Sequence, residues 1–396
     1  MHCTFNLNSN NNFDNILNND ETTLNNLNIQ VKKCTFNNES YHIIKYNKKD
    51  INENNTLTSG LFRSVIIKNK NIVSFSPPKS VSMQYFQNNI SLDNSTIEEF
   101  IEGTMINLFY DQDINEWIIS TKSFIGADIR FFVNDYNKDM TFKQMFYDIA
   151  KSVNLDFNLL PKNYCYSFVI QHNNNRIVSP FKQHKLYIIS VYSIDINNYL
   201  IHELPYYDSY EIFKHSKVSY PIKYEFDSYD DIFKSIISND TPYDFVGVMI
   251  KSNNIRTKVR NPNYEYVRRL RGNQPKLQYH YLTLRKEGNI NEYLKYYPDA
   301  KDKFNEFKHQ IYLFTQQLYT YYIECYIHKK NPLANFPYQF KNHMFLLHDK
   351  YINELRNNNQ FINKKYVIDY INQLHPAQLM FSVNYEKRTN KQTKTN

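Results

Sequence analysis

Apolar and polar side chains alternate along much of the first two thirds of the chain. Short runs with a period of two predict β-strands, because successive side chains of a strand point to opposite faces. The predicted strands cover residues 40–46, 61–67, 71–76, 104–110, 116–121, 164–171, 186–194, 222–226 and 245–251. Spacings of three and four at 141–153 and 228–238 predict helices between them. The sequence therefore predicts an α+β domain built on antiparallel sheets.

After Asn261 the spacing becomes helical. Apolar residues at intervals of three and four run through Asp299 to His328 and predict one long helix. They are Phe304, Phe307, Ile311, Phe314, Leu318, Tyr321 and Cys325. We interpret this stripe as a core face rather than a docking face, because buried stripes are far more common. Asn331–Pro332 should end the helix, since a residue before proline is pushed out of the helical region.

These patterns divide the chain into four segments. They are an Asn-rich arm (1–33), an α+β domain (34–261), an all-α C-terminal domain (262–385) and a basic tail (386–396). Further helices of the C-terminal domain are predicted at 337–356 and 364–374. The arm and the tail lack a regular apolar pattern, so we expect a loosely packed arm and a disordered tail.

Composition adds a prediction about partners and location. The chain has 396 residues, of which 41% are hydrophobic, and a formal net charge of +8. That balance favours a polyanionic partner, although a solvated basic surface is the alternative interpretation. No apolar run approaches the roughly 20 residues of a membrane span, so we expect a cytoplasmic protein without a membrane partner.

Candidate metal ligands and phosphate loops are scarce. Cys3, Cys34, Cys165 and Cys325 lie far apart and form no C-x-x-C pair, so no metal site is predicted. Only 6 glycines are present, which argues against glycine-rich phosphate loops.

The most specific motif is Phe100-Ile-Glu102-Gly103-Thr-Met-Ile. It resembles the nucleophile motif K-x-D-G-S-x-I of phage-type ATP-dependent RNA ligases, which belong to the covalent nucleotidyltransferase family. In those enzymes the lysine attacks the α-phosphate of ATP. Phe100 stands at the lysine position here, and a phenyl ring has no lone pair to offer to phosphorus.

Other short blocks follow the order of that family between residues 40 and 261. They are Gly60-Leu-Phe-Arg63-Ser, Ser76-Pro-Pro-Lys79-Ser, Ser120-Thr-Lys122-Ser, the segment from Tyr164 to Val178, Asp244-Phe-Val246-Gly247 and Arg256-Thr-Lys258. The resemblance implies an adenylation-domain-like nucleotidyltransferase fold. It also implies nucleotide or phosphate contacts from Arg63, Lys79, Glu102, Lys122, Lys251, Arg256 and Lys258.

Three positions depart together from the family pattern. Phe100 replaces the nucleophile, Ser167 replaces one carboxylate and Val246 replaces another. Mg²⁺ prefers carboxylate and phosphate oxygens, and a valine side chain supplies none. The cations remain, so the pattern predicts a pocket that binds phosphate groups without adenylating itself.

Three functional hypotheses stay open. The first is a degenerate RNA-ligase-like protein that binds RNA or nucleotide, with no catalytic residue and no cofactor assigned. The second is an active ligase that uses ATP and Mg²⁺, with Lys122, or next Lys79, as a relocated nucleophile of lowered pKa. The third is a structural or virion protein that reuses the fold. The abundant Asn, Ile, Lys and Tyr are what an AT-rich coding genome would impose. Together with the ligase resemblance, this composition points to a large DNA virus or a protist as the source, and for a virus the location is a viral factory or the virion.

A second cluster of cations follows the last block. Tyr264, Tyr266, Arg268, Arg269 and Arg271 interleave rings with positive charges on a short helix predicted to start after Pro262. Rings that stack on bases beside cations that contact phosphates are typical of single-strand RNA binding. The alternative is that the tyrosines are buried and the arginines pair with acidic neighbours.

Overall fold

The protein forms two compact units in a computed structural model that describes residues 3–8, 13–130 and 140–392. The first unit contains the described residues up to Arg271, and the second contains residues 272–392. All described strands belong to the first unit and pair antiparallel, whereas the second unit is helical. The predicted α+β class with a helical C-terminal region is confirmed.

The largest sheet has seven strands. In spatial order they are β1 (Cys3–Asn6), β12 (Leu200–Glu203), β11 (Lys185–Asp195), β10 (Tyr164–Gln171), β7 (Thr104–Asp111), β8 (Glu116–Thr121) and β9 (Phe124–Ile125). The central strand β10 has the burial expected of a strand covered on both faces, since its six inner residues are all buried.

Two four-stranded sheets complete the set. One has the order β2 (Ile29–Phe36), β3 (Glu39–Tyr46), β4 (Val65–Lys68) and β5 (Asn71–Ser74). The other has the order β13 (Lys223–Tyr224), β6 (Thr96–Glu99), β14 (Gly247–Ser252) and β15 (Ile255–Arg260).

The seven-stranded sheet is covered differently on its two faces. One face packs on helix α4 (Phe142–Ser152), where Phe168 and Ile106 meet Phe146. On the other face, Phe109 and Cys165 pack with the β2–β5 sheet in a second apolar cluster. The remaining helices of the first unit are α1 (Phe13–Leu17), α2 (Glu21–Asn26), α3 (Met83–Asn89), α5 (Tyr206–Phe213), α6 (Tyr229–Ile236) and α7 (Pro262–Arg271).

The second unit is built around the predicted long helix. It comprises α8 (Leu277–Glu287), α9 (Ile290–Tyr296), α10 (Lys301–Tyr322), α11 (Tyr338–Lys350), α12 (Lys364–Gln373), α13 (Pro376–Val383) and α14 (Tyr385–Gln392). A π-helical turn extends α10 to Ile327, as the Asn331–Pro332 signal predicted. Phe304, Ile311 and Leu318 of the apolar stripe are buried, which confirms a core face. None of the helices in the described part of the chain is long and apolar enough to cross a membrane.

The predicted arm, domain boundary and tail differ from the structure. The arm of residues 1–33 supplies β1 and most of β2, because Phe5, Phe13 and Ile16 enter the core despite their Asn-rich surroundings. The boundary predicted at 261/262 falls after Arg271, since Tyr264 and Val267 bury α7 against the first unit. In the tail, α14 continues to Gln392, and the last four residues lie outside the described part.

Candidate phosphate-binding site

A row of polar side chains crosses the face of the seven-stranded sheet that lies opposite α4. Ser120, Asn107, Ser167 and Ser190 stand directly opposite one another on β8, β7, β10 and β11. All four are buried, and the Ser167 hydroxyl donates to Asn107 Oδ1 at 2.9 Å. Facing residues of antiparallel strands point to the same side, so these four polar side chains line one face of the sheet.

Lys122 lies at the end of this row, in the turn between β8 and β9. Its Nζ is 4.3 Å from the centroid of the Tyr46 ring. Burial lowers the pKa of Lys122 to about 8, and repulsion from Arg63, Lys45, Lys48 and Lys79 lowers it in the same direction. The charged form of Lys122 therefore lacks a nearby negative charge that would stabilise it.

Lys79 is positioned by a rigid proline turn. The guanidinium of Arg256 donates to Pro78 O at 2.7 Å and to Pro77 O at 2.9 Å, while Lys79 N donates to Gly60 O at 2.9 Å. Arg256 thus holds the turn that carries Lys79, and its assignment as a phosphate contact stays a prediction. Burial lowers the pKa of Lys79, and so does the charge of Arg63.

Lys258 approaches the same group from the β6–β14–β15 sheet. The pKa of Lys258 is lowered to about 8. Burial is the largest cause, and repulsion from Arg260, Lys79, Arg63 and Arg256 acts in the same direction. Burial also lowers the pKa of Arg63, whose Nη1 donates to Pro77 O at 3.4 Å. Three segments distant in the sequence therefore bring Arg63, Lys79, Lys122 and Lys258 within electrostatic range, and we call these four residues the cation cluster.

The cation cluster has no internal counterion in the described part of the chain. No described carboxylate lies within 4.0 Å of the charged nitrogens of its members. The buried hydroxyls of Ser64, Ser76 and Ser120, which lie in the same segments, have no hydrogen-bond partner within the described residues, and neither has Ser74. A buried hydroxyl without a partner costs about 1–3 kcal/mol, so the segments that carry the cation cluster also carry unsatisfied polar groups.

Two further residues that we predicted to contact phosphate are engaged elsewhere. Lys251 forms an ion pair with Glu98 on the neighbouring strand. The carboxylate of Glu102 accepts the backbone N–H groups of Val178 at 2.5 Å and Ser179 at 3.0 Å. Burial raises the pKa of Glu102, although these donors act in the opposite direction. Glu102 therefore ties the Phe100 motif to the segment after β10.

Phe100 itself is half-buried and held by both its backbone and its ring. Its N–H donates to Gly247 O at 3.0 Å, and the Arg260 guanidinium lies 5.4 Å from the centroid of the ring. Arg260 also donates to Glu265 at 2.5 Å. We did not predict a role for Arg260, although its spacing of two from Lys258 on one strand placed both on the same face.

The two positions where the family keeps carboxylates do not fit a divalent metal ion. Ser167 is buried and bonded to Asn107, and Val246 is buried and apolar. Within residues 3–8, 13–130 and 140–392, no group of three or more His, Cys, Asp or Glu residues is arranged to hold a metal ion.

The predicted RNA-binding residues lie on α7, as expected, but they are not equally accessible. Tyr264 is only 5% exposed, so its ring is not available for stacking, whereas Tyr266 is 48% exposed. Arg268 donates to Glu265 at 3.2 Å, as the alternative interpretation expected. Arg269 is exposed and Arg271 is half-buried.

Comparison with known proteins gives distant structural similarities. No family model and no curated protein matches the chain. An archaeal ATP-dependent RNA ligase has a TM-score of 0.45 at 11% identity, covering 75% of this chain and 77% of that one. A putative ATP-dependent DNA ligase from Aquifex aeolicus has a TM-score of 0.37 at 12% identity, covering 85% and 80%. A mutant Naegleria gruberi RNA ligase with ATP and Mn has a TM-score of 0.35 at 12% identity, covering 48% and 57%. These TM-scores are below 0.5, so the similarities add nothing to the α+β architecture that the strands and helices define.

Proposed function

We propose that the first unit binds phosphate groups of a nucleotide or an RNA end and does not adenylate itself at position 100. The observation that carries this proposal is the convergence of Arg63, Lys79, Lys122 and Lys258 without a counterion among the described residues. Like charges held together in a partly buried site repel one another, and an anionic ligand relieves that repulsion. Phosphate oxygens also accept hydrogen bonds from lysine, arginine and hydroxyl groups.

Self-adenylation at position 100 is not expected for a chemical reason. The Phe100 side chain offers no nucleophile, and the Arg260 guanidinium occupies the space near its ring. The site resembles the nucleotidyltransferase pocket in its cations and departs from it in its nucleophile. The proposed activity is therefore binding.

RNA is the favoured macromolecular ligand in this proposal. Arg269 and Tyr266 on α7 are exposed and follow β15, the strand that carries Lys258. A ring and cations next to a phosphate site are suited to a short single-stranded segment behind a terminal phosphate.

The test is the affinity of the full chain for ATP and for an RNA oligonucleotide with and without a 5′-phosphate. Lys79→Ala and Lys258→Ala should each weaken binding of ATP and of the 5′-phosphorylated RNA by about tenfold, the value of one charge-assisted contact. Lys151→Ala on α4 is the matched control, because Lys151 is exposed on the helix that packs on the other face of the seven-stranded sheet. Equal affinities for all three variants would contradict the proposal.

A second candidate is covalent adenylation at Lys122, in which the neutral amine forms a P–N bond with the α-phosphate of ATP, pyrophosphate leaves and the amine loses a proton to solvent. The observation in its favour is the pKa of about 8, which leaves about a tenth of the amine unprotonated at pH 7, against far less for an ordinary lysine. Incubation with α-labelled ATP followed by denaturing electrophoresis tests it. Label on the wild-type protein that disappears in Lys122→Arg would establish this candidate, and unlabelled protein supports binding alone.

A further inference from the structure

We propose that the cation cluster binds polyphosphate in its metal-free form, so that Mg²⁺ competes with the protein for the ligand instead of bridging the two. This inference rests on the proposed phosphate-binding function and specifies the state of its ligand.

The first step is the charge of the site. Arg63, Lys79, Lys122 and Lys258 come together without a described carboxylate to offset them. Such a field attracts the full negative charge of a free triphosphate and repels a divalent cation. Mg²⁺ removes two of the negative charges on the triphosphate, so the magnesium complex gains less from the same four cations.

The second step concerns the partners that nearby carboxylates already have within the protein. Glu102 accepts from two backbone N–H groups, Glu98 pairs with Lys251, and Glu203 accepts from the Ser190 hydroxyl at 2.6 Å. A magnesium ion in a phosphate site usually has one or two protein carboxylates in addition to phosphate and water. These three carboxylates therefore already have partners within the protein.

The third step concerns the serine hydroxyls that have no hydrogen-bond partner among the described residues. Ser64, Ser76 and Ser120 are each at most 1% exposed, and their hydroxyls have no partner among the described residues. A hydroxyl can donate to a bare phosphoryl oxygen. The same oxygen is less available when Mg²⁺ already coordinates it, so hydroxyls and cations favour the same form of the ligand.

The experiment measures ATP affinity of the full chain by calorimetry in EDTA and in saturating MgCl₂, with NaCl added to equal ionic strength. We expect binding about tenfold weaker with Mg²⁺, the size of one lost charge contact. In Lys258→Ala the ratio between the two conditions should fall toward one, while Lys151→Ala should keep the wild-type ratio.

Each outcome separates this inference from the function on which it rests. Binding in EDTA that weakens with Mg²⁺ supports both. Binding that needs Mg²⁺ or tightens with it overturns the metal-free inference and leaves phosphate binding standing. Absence of binding under both conditions contradicts the proposed function itself.

Discussion

Two half-buried lysines of the cation cluster hold their protons less firmly than lysines in water. Burial and repulsion bring the pKa of Lys122 and of Lys258 to about 8, from an ordinary value of 10.5. A bound anion favours the charged form and raises both pKa values again. At the scale of single residues, the proposed phosphate binding should therefore be coupled to proton uptake.

This coupling predicts a pH dependence of ATP affinity. At pH 7, below the pKa of both lysines, both are mostly charged, so affinity should be higher there than at any higher pH. Above the free-state pKa the protons must be supplied on binding, so at pH 9, where about a tenth of each lysine is protonated, affinity should fall by up to about tenfold per lysine. Calorimetry at pH 8 in buffers of different ionisation enthalpy should show net proton uptake.

The control for the pH profile is Lys258→Met, which removes one titrating group. Its affinity should be lower at pH 7 and should fall less steeply between pH 7 and 9. An unchanged slope would show that Lys258 does not titrate in this range.

Glu102 gives a prediction about stability rather than binding. In Glu102→Gln one carboxylate oxygen that accepts a backbone N–H becomes an amide donor, which leaves Val178 N or Ser179 N facing a like group. Removing a partner from a buried donor costs about 1–3 kcal/mol. Urea unfolding should show a loss of this size, and Glu53→Gln at an exposed position should show none.

Four of the six cations predicted for the site form the cation cluster, and the other two have partners within the protein. Arg63, Lys79, Lys122 and Lys258 converge, whereas Arg256 holds a proline turn. Residue type and spacing do not distinguish these roles, because the Pro77 and Pro78 carbonyls meet Arg256 across a long gap in the sequence.

At the scale of elements, two glycines fix how strands approach one another around the site. Gly247 has φ of +129°, and a Cβ there would lie 2.1 Å from Val259 O. Gly103 has φ of +147°, and its Cβ would lie 2.4 Å from Ile170 O. Gly247 begins β14 and Gly103 immediately precedes β7, and at both positions only a residue without a side chain fits.

Gly247→Ala should therefore destabilise the protein by about 3 kcal/mol, from backbone strain together with the clash. Gly288→Ala is the control, since Gly288 also has positive φ, at +77°, but nothing lies within 4 Å of its Cβ. That variant should lose about 1 kcal/mol from strain alone. Similar losses of unfolding free energy for the two variants would contradict the clash.

Elements with clear periodicity were predictable, and those defined by distant partners were not. Strand β10 and helices α4 and α10 match their predicted bounds closely, because their apolar spacing is regular. Strands β1 and β12 were not predicted. Each has only four residues, and they pair with each other although they lie near opposite ends of the first unit's sequence. Strand β15 was not predicted. Its Arg and Lys residues were interpreted as a basic motif, although they alternate with the buried residues Thr257 and Val259.

At the scale of the whole molecule, all four members of the cation cluster belong to the first unit, which has its own apolar clusters. The second unit is a separate compact body of helices with its own buried residues. A unit with its own core can fold alone, so phosphate binding should not require residues after Arg271.

A fragment ending at Arg271 should therefore bind ATP in EDTA with an affinity within about twofold of the full chain, a difference of less than 1 kcal/mol. The fragment keeps Lys79 and Lys258 on the elements that position them, and it also keeps exposed Arg269 for RNA. Calorimetric titration of both proteins checks this, after circular dichroism has shown that the fragment is folded. The Lys258→Ala fragment should lose affinity by the same factor as the full-length variant. If the folded fragment binds ATP more than tenfold more weakly than the full chain, residues after Arg271 contribute to the site, and the assignment of phosphate binding to the first unit alone is wrong.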